Sequence, residues 1–180
     1  MESGYGGQFD SGMNGECVVS VSGNYHIAGS RYFYPENVLN KSSPEIRDPP
    51  NFWKPPVKDG LGGKLYMDLG CPRFVNTIEL VNMHNGDGRN TATKGFRVSV
   101  KKEESEDWNE LVKKQLGDRH KDEDPLPIEY FYFPAQDVRF IEFEVLSVWE
   151  KNPGGLQYLN TSSTGEMEHY SRPWFQLSFV

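Results

Sequence analysis

The chain lacks most of what would announce a chemistry. It has two cysteines, four histidines and no apolar run near the ~20 residues that cross a bilayer as a helix. Two cysteines, Cys17 and Cys71, are too few for a disulfide scaffold, and too few for a structural zinc site without histidine. They allow one disulfide or two separate thiols, and the sequence leaves that open. Cations are outnumbered, with 19 Lys and Arg against 26 Asp and Glu for a formal charge of −7. Phosphate binding needs a basic face, so nucleic acid is not expected as a partner. No Gly-x-Ser-x-Gly elbow, Walker loop, His-Glu-x-x-His or Cys-x-x-Cys pair is present. The acidic runs Glu103–Glu106 and Asp122–Asp124 read as solvated loops rather than paired catalytic carboxylates. The chain reads as a non-enzyme. Residues 1–15 are Gly-rich and polar without an apolar h-region, so no signal peptide is expected in them. They read as a flexible lead-in to one domain over 16–180.

What is there is alternation. Short runs of apolar and polar residues in turn, separated by Gly, Asn and Asp clusters, mark half-buried antiparallel strands. They fall at Glu16–Ser22, Lys64–Leu69, Asn76–Met83, Gly95–Lys102, Trp108–Lys113, Ile128–Phe133, Val138–Leu146 and Trp174–Phe179. Only Pro35–Leu39 reads as a helical turn, and the Pro-rich stretch Asn40–Gly63 reads as one long ordered loop. In Val138–Leu146 the apolar mass is Val138, Phe140, Ile141, Phe143 and Val145, with Arg139, Glu142 and Glu144 expected to face water. Tyr130 and Tyr132 alternate with Phe131 and Phe133, so both faces of that strand are expected to be covered. The fold class is all-β: a single-domain jelly-roll β-sandwich of about eight antiparallel strands with little helix, ahead of an immunoglobulin-like sandwich.

Several pieces stand in a particular order. Asn37-Val38-Leu39-Asn40 and Phe52-Trp53 come first, then Leu65-Tyr66-Met67-Asp68-Leu69-Gly70 and Val75-Asn76-Thr77-Ile78. Thr93-Lys94-Gly95-Phe96-Arg97-Val98-Ser99-Val100 follows, then Trp108-Asn109-Glu110-Leu111, Val138-Arg139-Phe140-Ile141-Glu142-Phe143 and Trp149. The ordered set resembles the discoidin or coagulation-factor C-type domain, one of the galactose-binding-like jelly rolls. The resemblance runs from Asn37 to the C-terminus, and it implies an extracellular setting.

It also implies a ligand held on loops at one end of the sandwich, here Ser22–Tyr34, Asn40–Lys58, His84–Lys94 and Glu150–Arg172. A non-catalytic, lectin-like carbohydrate module is the leading expectation, with carbohydrate or glycoprotein as the partner. Protein–protein adhesion or scaffolding on the same fold is the alternative, and anionic-lipid binding the rival. For lipid, Tyr25, Ile27, Tyr32 and Phe33 with Arg31 would supply an apolar tip, which the overall acidity opposes. For a sugar, His84, Asn85, Asp87, Arg89 and Asn90 concentrate donors and acceptors suited to vicinal hydroxyls. Trp53, Trp149, Tyr158 and Tyr170 are candidate stacking faces, although for Trp53 and Trp149 packing in the core or at its rim is the more ordinary role. His169 and Arg172 complete the candidate set. The polar stretch Asn160–Arg172 is long for a compact domain and reads as one wall of the site, facing His84–Asn90.

Calcium is a recurring ligand of the sugar-binding relatives. Asn40 and Gln176 stand where those relatives carry acids, which removes charge from the site; Glu45 and Asp48 are near enough in sequence to compensate. No cofactor is required on this reading, and Asn40, Glu45, Asp48 and Gln176 are the candidate calcium ligands.

Overall fold

The structure is a computed structural model that describes residues 17–25, 27–28, 31–39, 53, 55, 63–82, 92–118, 127–149 and 175–179. For 27, 28, 31 and 175–179 the backbone alone is described. Among these residues there are eight strands: β1 Ser20–Gly23, β2 Ile27–Ala28, β3 Arg31–Tyr32, β4 Lys64–Asn82, β5 Thr93–Lys101, β6 Asn109–Gln115, β7 Ile128–Val148 and β8 Phe175–Phe179. A 3-10 helix at Pro35–Leu39 is the one helical element among them. Among the described residues no helix is long and apolar enough to cross a membrane.

Two strands build the sandwich by serving both of its layers. The first part of β4 lies between β1 and the second part of β7, with Leu65 opposite Gly23 and Phe143. Its last part lies between β8 and the start of β7, with Leu80 opposite Leu177 and Glu129. β5 and β6 extend the first layer beyond β7. Register shifts at Asp68/Arg73 and Val75/Thr77 mark where the strands turn from one layer to the other. The second shift also resets parity. Leu65, Met67, Leu69 and Val75 face inward at odd positions, whereas Ile78, Leu80 and Asn82 do so at even ones. Gly70 makes the first corner feasible, with φ at 77° and a Cβ there falling 2.5 Å from the Val18 carbonyl oxygen.

The core sits between the layers. Phe96 of β5 stacks on Phe143 at 5.5 Å and meets Phe131 of the other layer edge-on at 5.0 Å. Val38 of the 3-10 helix and Trp53 join the same cluster. Each large side chain buried this way contributes about 1.5–3 kcal/mol.

Three expectations change. Lys64–Leu69 and Asn76–Met83 are one strand, as are Ile128–Phe133 and Val138–Leu146, because Pro72 and Pro134 sit at the corners, where a missing donor is tolerated. Glu142 is 6% exposed rather than solvated, since Lys64 from β4 reaches over to it. Tyr130 and Tyr132 are uncovered on their outer side, Tyr132 at 77%. The β2–β3 hairpin was not expected from sequence at all.

Candidate functional site

The strand pairings gather the long connections at one end. β1 finishes at Gly23 opposite Leu65, and the chain re-enters there through Gly63, whose carbonyl accepts from Val145 N–H at 3.0 Å. β4 finishes at Asn82 beside Thr93, where β5 starts, and Thr93 in turn is opposite Val148 near the end of β7. β6 ends at Gln115 opposite Gly95, and Ile128 of β7 is opposite Val81. Segments 83–91, 119–126 and 150–174 therefore begin and end at this end, and the chain enters β4 from it after segment 40–62. The opposite end has the β4 and β7 corners, the 102–108 turn and a disulfide joining Cys17 to Cys71, with Cα atoms 5.5 Å apart.

Several hydrogen bonds close the base of the loop end, among them Gly117 N–H to the Glu129 carboxylate at 3.0 Å. Asn82 is fully buried; its Nδ2 donates to Thr93 O at 2.8 Å and its Oδ1 accepts Thr93 N–H at 3.1 Å. The amide thus mimics a strand pair across the root of segment 83–91. Trp149 N–H donates to Ala92 O at 2.9 Å, and its indole Nε1 donates to Leu116 O at 3.2 Å. Lys94 Nζ sits 4.6 Å over the Trp149 ring, a cation–π contact on the rim.

Beside β1 is a cluster of tyrosines. Tyr34 meets Tyr25 at 4.8 Å and stacks on Tyr32 at 5.5 Å with an 8° tilt. Tyr32 and Tyr34 are each 41% exposed, while Phe33 between them is buried. Desolvation, then Tyr25, Tyr32 and Glu36, push the Tyr34 phenol up, so it stays protonated at any physiological pH. The cluster offers ring faces together with hydroxyls that both donate and accept.

Trp53 is a correction. It is 0% exposed, lies in the core, and its Nε1 donates to Asn24 O at 3.0 Å, so it has no face for a ligand. The space around it is close: a Cβ on Gly63 would be 2.6 Å from Pro55 Cβ and 3.7 Å from the Trp53 ring. Trp149 is half-buried, with its N–H committed within the chain. His84, Asn85, Asp87, Arg89, Asn90, Tyr158, His169, Tyr170 and Arg172 lie outside the described residues, although the described strand ends place their segments at this end. Asn40, Glu45 and Asp48 lie outside them too, and Gln176 is described only as the backbone partner of Val81. Among the described residues no three His, Cys, Asp or Glu gather as an ion site. The sequence reading missed Tyr34 and Asn82. The period-two run Tyr32-Phe33-Tyr34, out, in, out, was the legible signal for the first; nothing local marks the second.

No protein-family profile matches the chain, and no curated protein matches it by sequence. Solved structures do match in fold. The CBM32 of AlyQ, in complex with 4,5-unsaturated mannuronic acid, superposes with a TM-score of 0.52 at 18% identity, covering 89% of this chain and 93% of that one. The family 32 module of Clostridium perfringens NanJ, in complex with galactose, gives 0.52 at 13% identity over 72% and 83%. CBM32-1 from a family 31 glycoside hydrolase of Clostridium perfringens gives 0.51 at 9% identity over 73% and 84%. Identities this low establish a shared jelly-roll sandwich, the fold that discoidin domains also have.

Proposed function

We propose that the chain is a non-catalytic carbohydrate-binding module that takes its ligand at the loop-bearing end. The observation that carries the reading is the Tyr25–Tyr32–Tyr34 cluster at that end, in which half-exposed Tyr32 and Tyr34 stack and Tyr25 tilts against Tyr34. A pyranose presents an apolar face and a rim of hydroxyls, and such a cluster meets both. Sugar-complexed modules among the fold neighbours support it. His84, Asn85, Asp87, Arg89 and Asn90 would add polar contacts from segment 83–91, and Tyr158, His169, Tyr170 and Arg172 from segment 150–174. Binding needs no metal on this reading, because Asn40 and Gln176 replace acids in the implied calcium set. The Cys17–Cys71 disulfide supports an oxidising, extracytoplasmic setting.

One observation favours a protein partner instead. Phe74, Tyr130 and Tyr132 are exposed on the second layer, Phe74 at 79%, and rings left open in this way often mark protein contacts. A glycan array at physiological salt, run with calcium and again with chelator, separates the readings. Selective signals that survive chelation and vanish in a Tyr32→Ala/Tyr34→Ala variant of unchanged melting temperature are expected. A blank array would move the reading to a protein partner.

A further inference from the structure

A second surface lies away from the loop end, on the outer face of the first layer. Its residues line up in rows across β4, β7 and β5: Asp68, Phe140 and Lys101 in one, Tyr66, Glu142 and Ser99 in the next, Lys64, Glu144 and Arg97 in the third. Their neighbours along each strand, such as Met67, Ile141, Phe143 and Val98, are in the core, so period two puts all three rows outside. Trp108, just before β6, folds onto this face. Its ring is 6.2 Å from that of Tyr66, and Lys101 Nζ sits 5.0 Å over it and 5.6 Å from Phe140. Tyr66 and Trp108 remain 39% and 38% exposed, with the buried Glu142 carboxylate below them. The Phe140–Lys101 row is nearest the 102–108 turn, at the end opposite the tyrosine cluster.

The charges on this face select the ligand. Lys64 is paired with Glu142 at 3.0 Å and Glu144 at 3.9 Å, and Arg97 with Glu144 and Glu110. Arg139 grips Asp68 through two bonds of 2.9 and 3.1 Å. Lys101 is spent on the two rings and on the Glu104 carbonyl. Lys113 of β6 continues the third row opposite Arg97. The other cations of the rows are engaged on a chain of charge −7, so a polyanion finds little to neutralise it, and a polycation would have to break pairs already made. Arg139 sits 4.7 Å over the Phe140 ring as well. The face therefore still offers chiefly the aromatic surface of Tyr66 and Trp108, with Phe140 beneath Lys101 at their side and polar atoms held rigid by ion pairs. That combination suits a neutral, hydroxyl-rich chain, which stacks its C–H faces and needs no counter-charge. We propose that Tyr66, Trp108 and Phe140 form a second saccharide surface that takes internal residues of a neutral pyranose chain; this rests on the carbohydrate reading of the module. The loop end would then meet chain ends or side branches while this face holds the polymer.

Affinity electrophoresis through a soluble neutral β-galactan, a neutral β-glucan and a polyuronate tests it. The wild type, Trp108→Ala, Tyr66→Ala/Trp108→Ala and Tyr32→Ala/Tyr34→Ala would run side by side. Trp108 is half-exposed and outside a strand, so its single variant keeps the fold, which a thermal melt checks. At least one neutral chain is expected to retard the wild type, and Trp108→Ala to weaken that by about tenfold. A tryptophan emission shift on adding the neutral chain should disappear in the same variant, and the polyuronate should show no Trp108-dependent retardation. Wild-type retardation in both Trp108 variants would overturn the second surface and leave the loop-end reading standing. Retardation lost in the Trp108 variants but kept in Tyr32→Ala/Tyr34→Ala would support the face and count against the loop end. Absence of retardation by either neutral chain would overturn the second surface, and a blank glycan array as well would remove both.

Discussion

The two ends of the sandwich are held by different chemistry. At the corner end the fastenings are covalent or ionic: Cys17–Cys71, Arg139 on Asp68, and Lys102 on Asp137 at 2.6 Å. At the loop end neutral groups carry more of the work, one buried asparagine, two indole N–H groups and a set of tyrosine rings, beside charged contacts such as Glu129 accepting Gly117 N–H and Lys94 over Trp149. Sharp corners hold two layers in register over a short span, where a misplaced strand would expose core, and strong fastenings suit that. A loop root closed by one amide and one tryptophan can carry connections of almost any length without disturbing the sheet. Both ends contribute to stability, the corner end through cross-links and the loop end through packing, and the loops carried by the latter are free to be shaped by what they bind.

Four perturbations sharpen or break that contrast. The largest effect is expected from Trp53→Ala, since removing a fully buried indole costs about 3–5 kcal/mol. It would show that packing still anchors the loop end, and denaturant unfolding measures it; a loss no larger than that of a surface substitution would contradict the core position. Next comes Cys17→Ser/Cys71→Ser, which opens a sequence separation of 54 residues and should cost about 2–4 kcal/mol. Glycan binding below the lowered melting temperature should be unchanged, and a parallel loss of binding would couple the two ends. Asn82→Ala strands the Thr93 N–H and carbonyl and should cost about 1–3 kcal/mol, with weaker glycan binding as the root of segment 83–91 loosens. Equal binding in that variant would show that the amide serves stability alone.

The smallest effect is a pH dependence. Burial pushes the Asp68 carboxyl up, but Arg139 and the Gly70 N–H outweigh it and hold the group below its usual value. Because the folded carboxyl titrates below the unfolded one, its contribution is complete above about pH 4 and fades as the pH falls through the folded value. Solvent screens this half-exposed pair, so the change is small. Asp68→Asn should flatten the acid limb of a melting-temperature profile, and an unchanged limb would place the acid sensitivity elsewhere.

Local pattern carried much of this fold. Alternation located every long strand, and Pro35–Leu39 has the bounds expected of it. What it could not carry is pairing between distant segments. Glu142 is buried by a lysine 78 residues away, and Trp53 by a strand and a glycine that no local rule links to a Pro-rich stretch. Lys64–Leu69 and Asn76–Met83 read as separate strands because the alternation lapses between them, around Pro72, whereas the structure carries the ladder through a corner there, where it is already interrupted. The loop end was legible in outline, since His84–Lys94 and Glu150–Arg172, two of the loops that the family-like order of motifs names, connect strand ends gathered there. Its described chemistry was not, because Asn82 reads as an ordinary polar residue until Thr93 is placed beside it.

The most direct test of the central claim is an amide NMR titration with the strongest glycan from the array. The account expects shifts at residues 24–25, 32–37, 82, 92–94 and 149, around the loop end. Shifts confined to residues 17–18, 70–73 and 102–106, at the disulfide end, would contradict it.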